Sequence, residues 1–284
     1  MRASTRARRS ACPRCRSAPQ SRWTRSLLLR LIDGFAAPPP AAARVGWLCD
    51  WQYAHRGVHD RGAGGTLAEN SLPAFAEAMR RGLGIECDIQ RSADGRAMVF
   101  HDWELDRLTA QTGPVVAHTA DALARMTLSG TEATIPTLEM LLRLIGGKVA
   151  LLIEIKSRAG RPVSTACLAV RRALEGYYGP HAVMSFDPRV SAWFARHAPH
   201  IVRGLVVTEE RARGFGGRAR RHLALWQAKP EFLAYDVRDL PSRFAASQRA
   251  RGLPVLTWTV RTQELAQRAA LHADAPIAEG DGLG

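Results

Sequence analysis

The chain has little of what would mark several common protein classes. Its five cysteines (Cys12, Cys15, Cys49, Cys87 and Cys167) are odd in number and irregular in spacing, which argues against a disulfide framework. Cys12 and Cys15 have zinc-ribbon spacing, but no second Cys or His pair follows nearby, and a structural zinc site needs four ligands. No apolar run approaches the ~20 residues of a membrane span. The stretch "SLLLRLIDGF" is short and is broken by Arg30 and Asp33, so it makes a poor signal-peptide core, and the protein is read as cytoplasmic. Residues 1–30 contain no acid and nine arginines, so they account for nine of the +14 formal charges and leave +5 for the rest. The pI of about 10.8 therefore belongs largely to an N-terminal tail. No Gly-x-Gly-x-x-Gly turn follows the first strand, which disfavours a doubly wound dinucleotide-binding sheet, and no internal repeat is evident.

What the chain does have is ordinary globular composition, 46% hydrophobic and 23% charged over 284 residues, enough for a sizeable core. Residues 1–25 read as a disordered Arg-rich tail. Residues 26–50 read as a helix and a Pro/Ala linker, "IDGFAAPPPAAARVGW", leading into a barrel over 51–284. Strand-like runs fall at 52–56, 84–90, 97–101, 149–155, 182–186, 201–207, 231–237, 254–260 and 275–279. Helix-period segments alternate with them at 71–82, 137–147, 163–175, 188–197, about 208–228, 242–251 and 262–272. Alternation of this kind predicts a parallel sheet with helical crossovers.

The runs 84–90 and 97–101 are an exception, because "RSADGRA" between them carries Asp94-Gly95, a two-residue hairpin signal. Counting the second run as an antiparallel arm leaves eight βα strands, the number in a closed (β/α)8 TIM barrel. Residues 103–135 have weak periodicity and read as an irregular insertion over the barrel mouth, a place where long loops shape substrate access.

Residues two apart in a strand face the same side. In "GIECDIQ" Glu86 and Asp88 share one face and Ile85, Cys87 and Ile89 the other, and in "LLIEIKS" Glu154 and Lys156 are likewise paired. The apolar faces suit packing on helices, so the ionisable ones point into the barrel, where charged side chains near strand C-termini signal a site. If Asp94-Gly95 is a two-residue turn, Ala93 pairs with Arg96 and the same register sets His101 directly opposite Asp88. His55 ends the first barrel strand, next to 84–90 if sequential strands are neighbours. Three clustered carboxylates need protons or a cation between them, and all-oxygen ligands favour Mg²⁺ or Ca²⁺. Arg56 and Lys156 add fixed positive charge suited to phosphate oxygens, and His55 and His101 can trade protons near neutral pH. A cation, a basic clamp and two proton carriers are the parts needed to cleave a phosphodiester. Taken singly, each feature has a plain structural alternative: a strand-end histidine, a surface Glu-x-Asp, a Glu154–Lys156 ion pair. Their joint occurrence on one barrel face is what argues for chemistry.

With these residues in view, the chain from about Tyr53 to Gly280 resembles the glycerophosphodiester phosphodiesterase family. The matching stretches are "AHRG" (54–57), "ENS" (69–71), "GIECDIQRSADGRAMVFHD" (84–102), "LDRLT" (105–109), "IPTLEMLL" (135–142), "LLIEIK" (151–156), "MSFD" (184–187) and "LTWTV" (256–260). The resemblance implies a metal-dependent phosphoric diester hydrolase that converts a small glycerophosphodiester to glycerol 3-phosphate and an alcohol. It implies His55 and His101 as general acid and base, Glu86, Asp88 and Glu154 as ligands of Mg²⁺ or Ca²⁺, and Arg56 and Lys156 on the phosphate. It further implies Trp258 near the substrate, and Glu69 and Asn70 as residues that order Arg56 or touch the metal.

Two departures bear on the polar-head preference. Arg261 stands where the family often has Asn, and "APIAEG" stands where it commonly ends in Thr followed by Asp or Asn. No helix is expected after the eighth strand, and the segment around 24–34 is expected to cover that end. The alternative on the same barrel is a lysophospholipase D-type or other phosphodiester hydrolase, with 103–135 setting the difference. A remote alternative from another class is nucleic-acid binding through the Arg-rich tail. That tail has Trp23 but little aromatic interleaving, so nucleic acid is not expected as a partner.

Overall fold

The computed structural model describes residues 27–59, 66–158, 160–210 and 212–283. The expected tail 1–25, with Cys12 and Cys15, lies outside the described residues. The chain enters through α1 (Leu27–Ala36) and the short α2 (Ala42–Val45), then runs β1 (Tyr53–His55), α3 (Leu72–Arg80), β2 (Gly84–Arg91), β3 (Ala97–Val99) and α4 (Ala120–Leu123). It continues α5 (Leu138–Ile145), β4 (Leu151–Ile155), α6 (Ser164–Ala173), β5 (His181–Ser185), α7 (Pro188–His197), β6 (Val202–Val207) and α8 (Phe215–Ala228). The last elements are β7 (Phe232–Asp236), α9 (Arg243–Arg249), β8 (Val255–Val260), α10 (Gln263–His272) and β9 (Ala275–Ala278). The helices start where the sequence supplies caps: Ser71 accepts from Ala74 N ahead of α3, and Thr137 from Met140 N ahead of α5.

Eight parallel strands close in the order β1-β9-β8-β7-β6-β5-β4-β2, with β1 paired to β2, and β3 lies antiparallel on β2. This is the (β/α)8 TIM barrel expected from the sequence, hairpin arm included. One face of each strand packs on the surrounding helices. Ile85, Cys87, Ile89, Ile153 and Ile155 are fully or almost fully buried in that outer layer. The other face fills the barrel with Tyr53, Leu152, Ala182, Met184, Phe232, Leu256 and Ile277. Val45 and Leu48 join this inner cluster from the segment before β1. Since they precede the strand, they plug its N-terminal end and leave the C-terminal end for a site. Segment 103–135 contains α4 and one short 3-10 turn, and Leu105, Val115, Leu123, Leu128 and Ile135 cluster with Met98 and Phe100 of the arm.

The entry helix does not cover the last strand. α1 packs instead on α8 and α9, and a single buried carboxylate explains why. Asp33 Oδ1 accepts from His222 Nδ1 and Trp226 Nε1, both at 2.8 Å, and Oδ2 accepts from Gln248 Nε2 at 2.8 Å. Arg251 Nη2 adds a bond to the Asp33 carbonyl. The end of the barrel after β9 is closed by a 3-10 turn over Gly280–Gly282, to which Gln52 Nε2 donates at 2.9 Å.

Burial pushes the Asp33 carboxyl up, but the bonds from His222, Gln248 and Trp226 outweigh it and hold it below its ordinary value. Asp33→Ala leaves three donors without their acceptor, the buried His222 and Gln248 and the half-buried Trp226, a loss of about 2–4 kcal/mol. The wild type should therefore melt several degrees above the variant near neutral pH in a circular-dichroism scan. Because the folded carboxyl is depressed, its contribution is present above the unfolded value and lost as pH falls through the folded one. The two melting curves should accordingly converge in acid.

Candidate active site

The site begins at the turn after β1. Arg56 and Gly57 both take positive φ, +56° and +80°. A Cβ at Gly57 would come within 2.9 Å of the Ala74 carbonyl carbon, so only glycine lets the turn pass under α3. The turn folds Arg56 back over the strand ends. Its N–H donates to Glu86 Oε2 at 3.1 Å and its Nη1 to Glu69 Oε1 at 2.8 Å, while its Nε stands 3.0 Å from Asp88 Oδ2. The register places His55 beside Glu86 and Asp88 beside Glu154.

Glu86, Asp88 and Glu154 are all buried, and one carboxylate oxygen from each lies within 4.8 Å of the others. Two cations face them. Lys156 Nζ is 2.7 Å from Asp88 Oδ1 and 2.6 Å from Glu154 Oε1, and Arg56 is on Asp88. Burial pushes Asp88 up, but Lys156 and Arg56 overcome this and hold its carboxyl far below the usual range. Lys156 is raised in return, since Asp88 and Glu154 outweigh its own desolvation. Glu154 is raised, chiefly by burial against only partial relief from Lys156. Glu86 is raised well above the ordinary carboxylate value by burial, then by Asp88 and Glu154.

Two basic side chains thus do not balance three acids, and Glu86 is the one left uncompensated. Asp88 Oδ1 is buried and close to Lys156 but receives no well-aligned hydrogen bond. An uncompensated carboxylate and an unfilled oxygen among all-oxygen donors fit a hard divalent cation.

The histidines flank this group. His55 is buried, its Nε2 is 4.0 Å from Glu86 Oε2, and its Nδ1 is 2.6 Å from Glu279 Oε2. Burial first, then the charge of Arg56, pulls the imidazole well below its ordinary value, so it is neutral at pH 7. A carboxylate can only accept, so Nδ1 carries the proton and Nε2 is left as the acceptor facing the acids.

His101 reaches the site by a different register from the one expected. The ladder pairs Ile89 with Val99 and Arg91 with Ala97, and Phe100 N donates to Asp88 O, so Phe100 rather than His101 lies opposite Asp88. The turn is one residue longer than a two-residue hairpin. Ser92 pairs with Arg96 around Ala93-Asp94-Gly95, Gly95 takes φ +83°, and Asp94 accepts from Ala120 N of the insertion. His101 comes inward because β3 stops at Val99. The buried Gln90 side chain, on the same face as Glu86 and Asp88, donates to the carbonyls of His101 and Asp102 at 3.1 Å each. The imidazole is near enough to lower both Asp88 and Glu154.

Asn70, also at positive φ (+57°), donates from Nδ2 to Asp88 Oδ2 at 3.0 Å and accepts from Asp88 N. Glu69 bridges Arg56 and Arg107. Burial raises it, but these two arginines bring it down to about 2. Trp258 lies on the inward face of β8 with its Nε1 on Ala234 O, edge-on to Phe186 at 5.3 Å between ring centres. Because Phe186 follows β5 and Trp258 is on β8, this pair bridges over β6 and β7 at the mouth.

Several neighbours of the site were not singled out from sequence. Asp102 takes His101 Nδ1 at 2.6 Å and Arg107 Nε at 2.5 Å, which links His101 to Glu69 through Arg107. Asp102 ends the quoted stretch "GIECDIQRSADGRAMVFHD", and Arg107 stands in "LDRLT". Glu279 holds His55 with one oxygen and Arg261 Nε with the other at 2.5 Å, and His59 Nε2 is 3.5 Å away. Arg261 and the segment holding Glu279 are the two departures noted above, and the fold makes them partners. An open cavity of about 430 Å³ lies beside the acids, lined by His101, Lys156, Asp102, Trp103, Glu104, Asp106, Arg107 and Arg158. It is large enough for a small ligand.

A TIM barrel that gathers buried acids, basic residues and two histidines at its C-terminal strand ends carries the groups that hydrolysis of a phosphoric diester needs. The family model described as "Glycerophosphoryl diester phosphodiesterase family" matches residues 59–276, and the chain belongs to that family. The Bacillus subtilis protein YhdW is 27% identical over 74% of this chain and 88% of its own. A glycerophosphodiester phosphodiesterase of Bacillus altitudinis is 36% identical over 37% of this chain and 43% of its own. Among solved structures, an Oleispira antarctica phosphodiesterase in complex with the product sn-glycerol-3-phosphate superposes with a TM-score of 0.68 at 24% identity, over 80% of this chain and 92% of that one.

Proposed function

We propose that the chain is a divalent-cation-dependent, cytoplasmic glycerophosphodiester phosphodiesterase that hydrolyses small glycerophosphodiesters to glycerol 3-phosphate and an alcohol. The observation that carries this reading is the trio Glu86, Asp88 and Glu154 within 4.8 Å of one another, with His55 and His101 on its flanks. The three acids would hold Mg²⁺ or Ca²⁺. Bound there, the cation would offset much of their charge and would polarise the phosphoryl oxygens. Arg56 and Lys156 bring positive charge to the same oxygens.

His55 Nε2, neutral and held in one tautomer by Glu279, takes the proton of the glycerol hydroxyl next to the phosphate as that oxygen attacks phosphorus. His101, at the cavity wall, gives a proton to the departing alcohol oxygen. The internal nucleophile has the advantage of proximity and leaves a cyclic phosphate. His101 then takes a proton from the water that opens it, and His55 returns its proton to the glycerol oxygen. Glu69 and Asn70 fix Arg56 and Asp88, and segment 103–135 sets which alcohol is admitted. The product held by the Oleispira protein is the one this scheme releases.

A second reading, cleavage of acylated diesters, draws support from the Phe186–Trp258 pair at the mouth, where Phe186 is exposed. A panel of glycerophosphocholine, glycerophosphoethanolamine and lysophosphatidylcholine, assayed with Mg²⁺, Ca²⁺ or chelator, tests both. The expected result is release of glycerol 3-phosphate from the soluble diesters, lost in chelator and restored by cation. Equal turnover in chelator would overturn the metal reading, and turnover of the acylated diester alone would overturn the substrate.

A further inference from the structure

Among the described residues, two groups of histidine and acidic side chains bring ligand atoms within 4.8 Å of one another. One is the acid trio. The other is His55, His59 and Glu279, reached through the His55 nitrogen that faces away from Glu86. Its residues come from two fixed pieces of the barrel. β9 lies parallel to β1 with Ala278 beside Ala54, so Glu279 and His55 meet where the two strands end. The turn after β1 then brings the chain back. Gly57 N donates to Ala54 O at 3.2 Å and Val58 N to Ala74 O at 3.0 Å, which sets His59 against the same carboxylate. Glu279 is 4% exposed, and the His59 Nε2 is shielded from solvent.

The distances separate a ligand set from a chain of hydrogen bonds. His55 Nδ1 is 2.6 Å from Glu279 Oε2, a hydrogen bond. His59 Nε2 is 3.5 Å from that same oxygen, long for a bond between a ring nitrogen and a carboxylate. It is close to the ~3.4 Å between two ligand atoms around a tetrahedral ion with bonds of about 2.1 Å. Holding His55 in one tautomer needs only the first contact, so the second imidazole is surplus to that task. Two imidazoles and one carboxylate, with a further position open, make the donor set of a borderline-soft ion such as Zn²⁺, whereas the all-oxygen trio suits a hard one. Arg261 works against the ion. It holds the other Glu279 oxygen with a side chain 47% exposed, so an entering cation competes with it for the carboxylate.

We propose that His55, His59 and Glu279 form a second metal site, selective for Zn²⁺ over Mg²⁺ and Ca²⁺, whose occupation stops hydrolysis. The ion bonds to His55 Nδ1, His59 Nε2 and Glu279 Oε2. The Nδ1 proton leaves to solvent as that bond forms and Nε2 takes one up, so the His55 ring stays neutral. A protonated Nε2 cannot accept the proton of an attacking hydroxyl. The metal site stands on the geometry alone, while the inhibition rests on His55 acting as the base in the function proposed above.

The test follows zinc binding and activity together, in the full chain carrying Cys12→Ser and Cys15→Ser so that this thiol pair adds no site of its own. Zn²⁺ is titrated against a zinc-selective chromophoric chelator, with millimolar Mg²⁺ present to fill the acid trio, and glycerophosphocholine hydrolysis is measured at the same free Zn²⁺. The expected result is a single equivalent of Zn²⁺ bound, with activity lost over the same concentration range. His59→Ala should weaken binding and inhibition about tenfold or more, since one of the protein ligands is gone. Arg261→Gln should strengthen both, because it removes the competing cation. Asp88→Asn, which damages the trio, should still bind Zn²⁺. Zn²⁺ should also raise the melting temperature of the parent but not of His59→Ala. The proposal is overturned if no Zn²⁺ binds, if His59→Ala binds it as the parent does, or if Asp88→Asn abolishes binding, which would place the ion in the trio. Binding that depends on His59 but leaves hydrolysis untouched would overturn the inhibition, and with it the base role of His55, while the site stands. Absence of any hydrolysis would sink the catalytic reading alone, since the titration decides the site.

Discussion

Asp88→Asn is expected to lower kcat/KM by about 10³-fold or more, the scale of several kcal/mol of transition-state stabilisation from a correctly held cation. The substitution keeps the shape of the side chain and removes its charge. Asp88 is where the site converges: Lys156 on Oδ1, Arg56 and Asn70 on Oδ2, and Glu154 as its strand neighbour. As the most strongly ionised of the three acids, it is the carboxylate that offers full charge to a cation at any working pH. Arg56 and Lys156 would also lose the partner that fixes them, so phosphate binding should weaken together with metal binding.

A plain structural ion-pair network would give a different pattern, namely lower stability with near-normal turnover in the folded fraction. Melting curves separate the two. A ligand that binds only the folded state raises the melting temperature in proportion to the logarithm of its concentration. The wild type should shift upward in millimolar Mg²⁺ or Ca²⁺, and Asp88→Asn should not. A shift preserved in the variant, with kcat/KM within about tenfold of wild type, would show that Asp88 does not hold the cation.

The barrel was legible because its elements obey local rules. The apolar and ionisable residues of 84–90 and 149–155 alternate with period two, and this alone assigns Glu86, Asp88 and Glu154 to the inside. The adjacency of His55 to Glu86 required only that sequential parallel strands pair. The position of His101 was reached through a register that is off by one. Asp94-Gly95 does lie in the turn, but Asp94 is also tied to Ala120 across the insertion, and no rule of local turn chemistry anticipates that bond. The slip did little harm because His101 lies beyond the end of β3, where strand alternation no longer decides which way a side chain points.

The part that was not legible is long-range. Glu279 meets His55 across 224 positions only because the barrel closes β9 onto β1. Arg261 and the end of β9 looked like separate departures until the fold joined them. The docking of α1 depended on Asp33 finding His222, Trp226 and Gln248, all roughly 200 residues away. An amphipathic stripe tells a helix to pack, but not in which groove.

The two histidines should separate by leaving group. His101→Ala is expected to slow glycerophosphocholine turnover by about 10²–10⁴-fold, the usual size of general acid–base catalysis. A diester with a nitrophenolate leaving group needs no proton on departure, so the same variant should cost far less there. The geometry sets this asymmetry. His101 is the more exposed ring, lines the cavity, and has its Nδ1 on Asp102, which Arg107 holds in turn, so Nε2 is the nitrogen that the proposed acid role would use. His55 is buried and neutral, with its Nε2 4.0 Å from Glu86 Oε2, the side on which the proposed scheme would set the attacking hydroxyl. His55→Ala should therefore slow both substrates by similar factors, since each begins with the same proton removal. Rates for the two substrates, measured side by side on the two variants, decide the assignment. Equal losses for His101→Ala on both diesters would remove it from the role of acid. A leaving-group dependence appearing in His55→Ala instead would exchange the two roles while leaving the scheme otherwise intact.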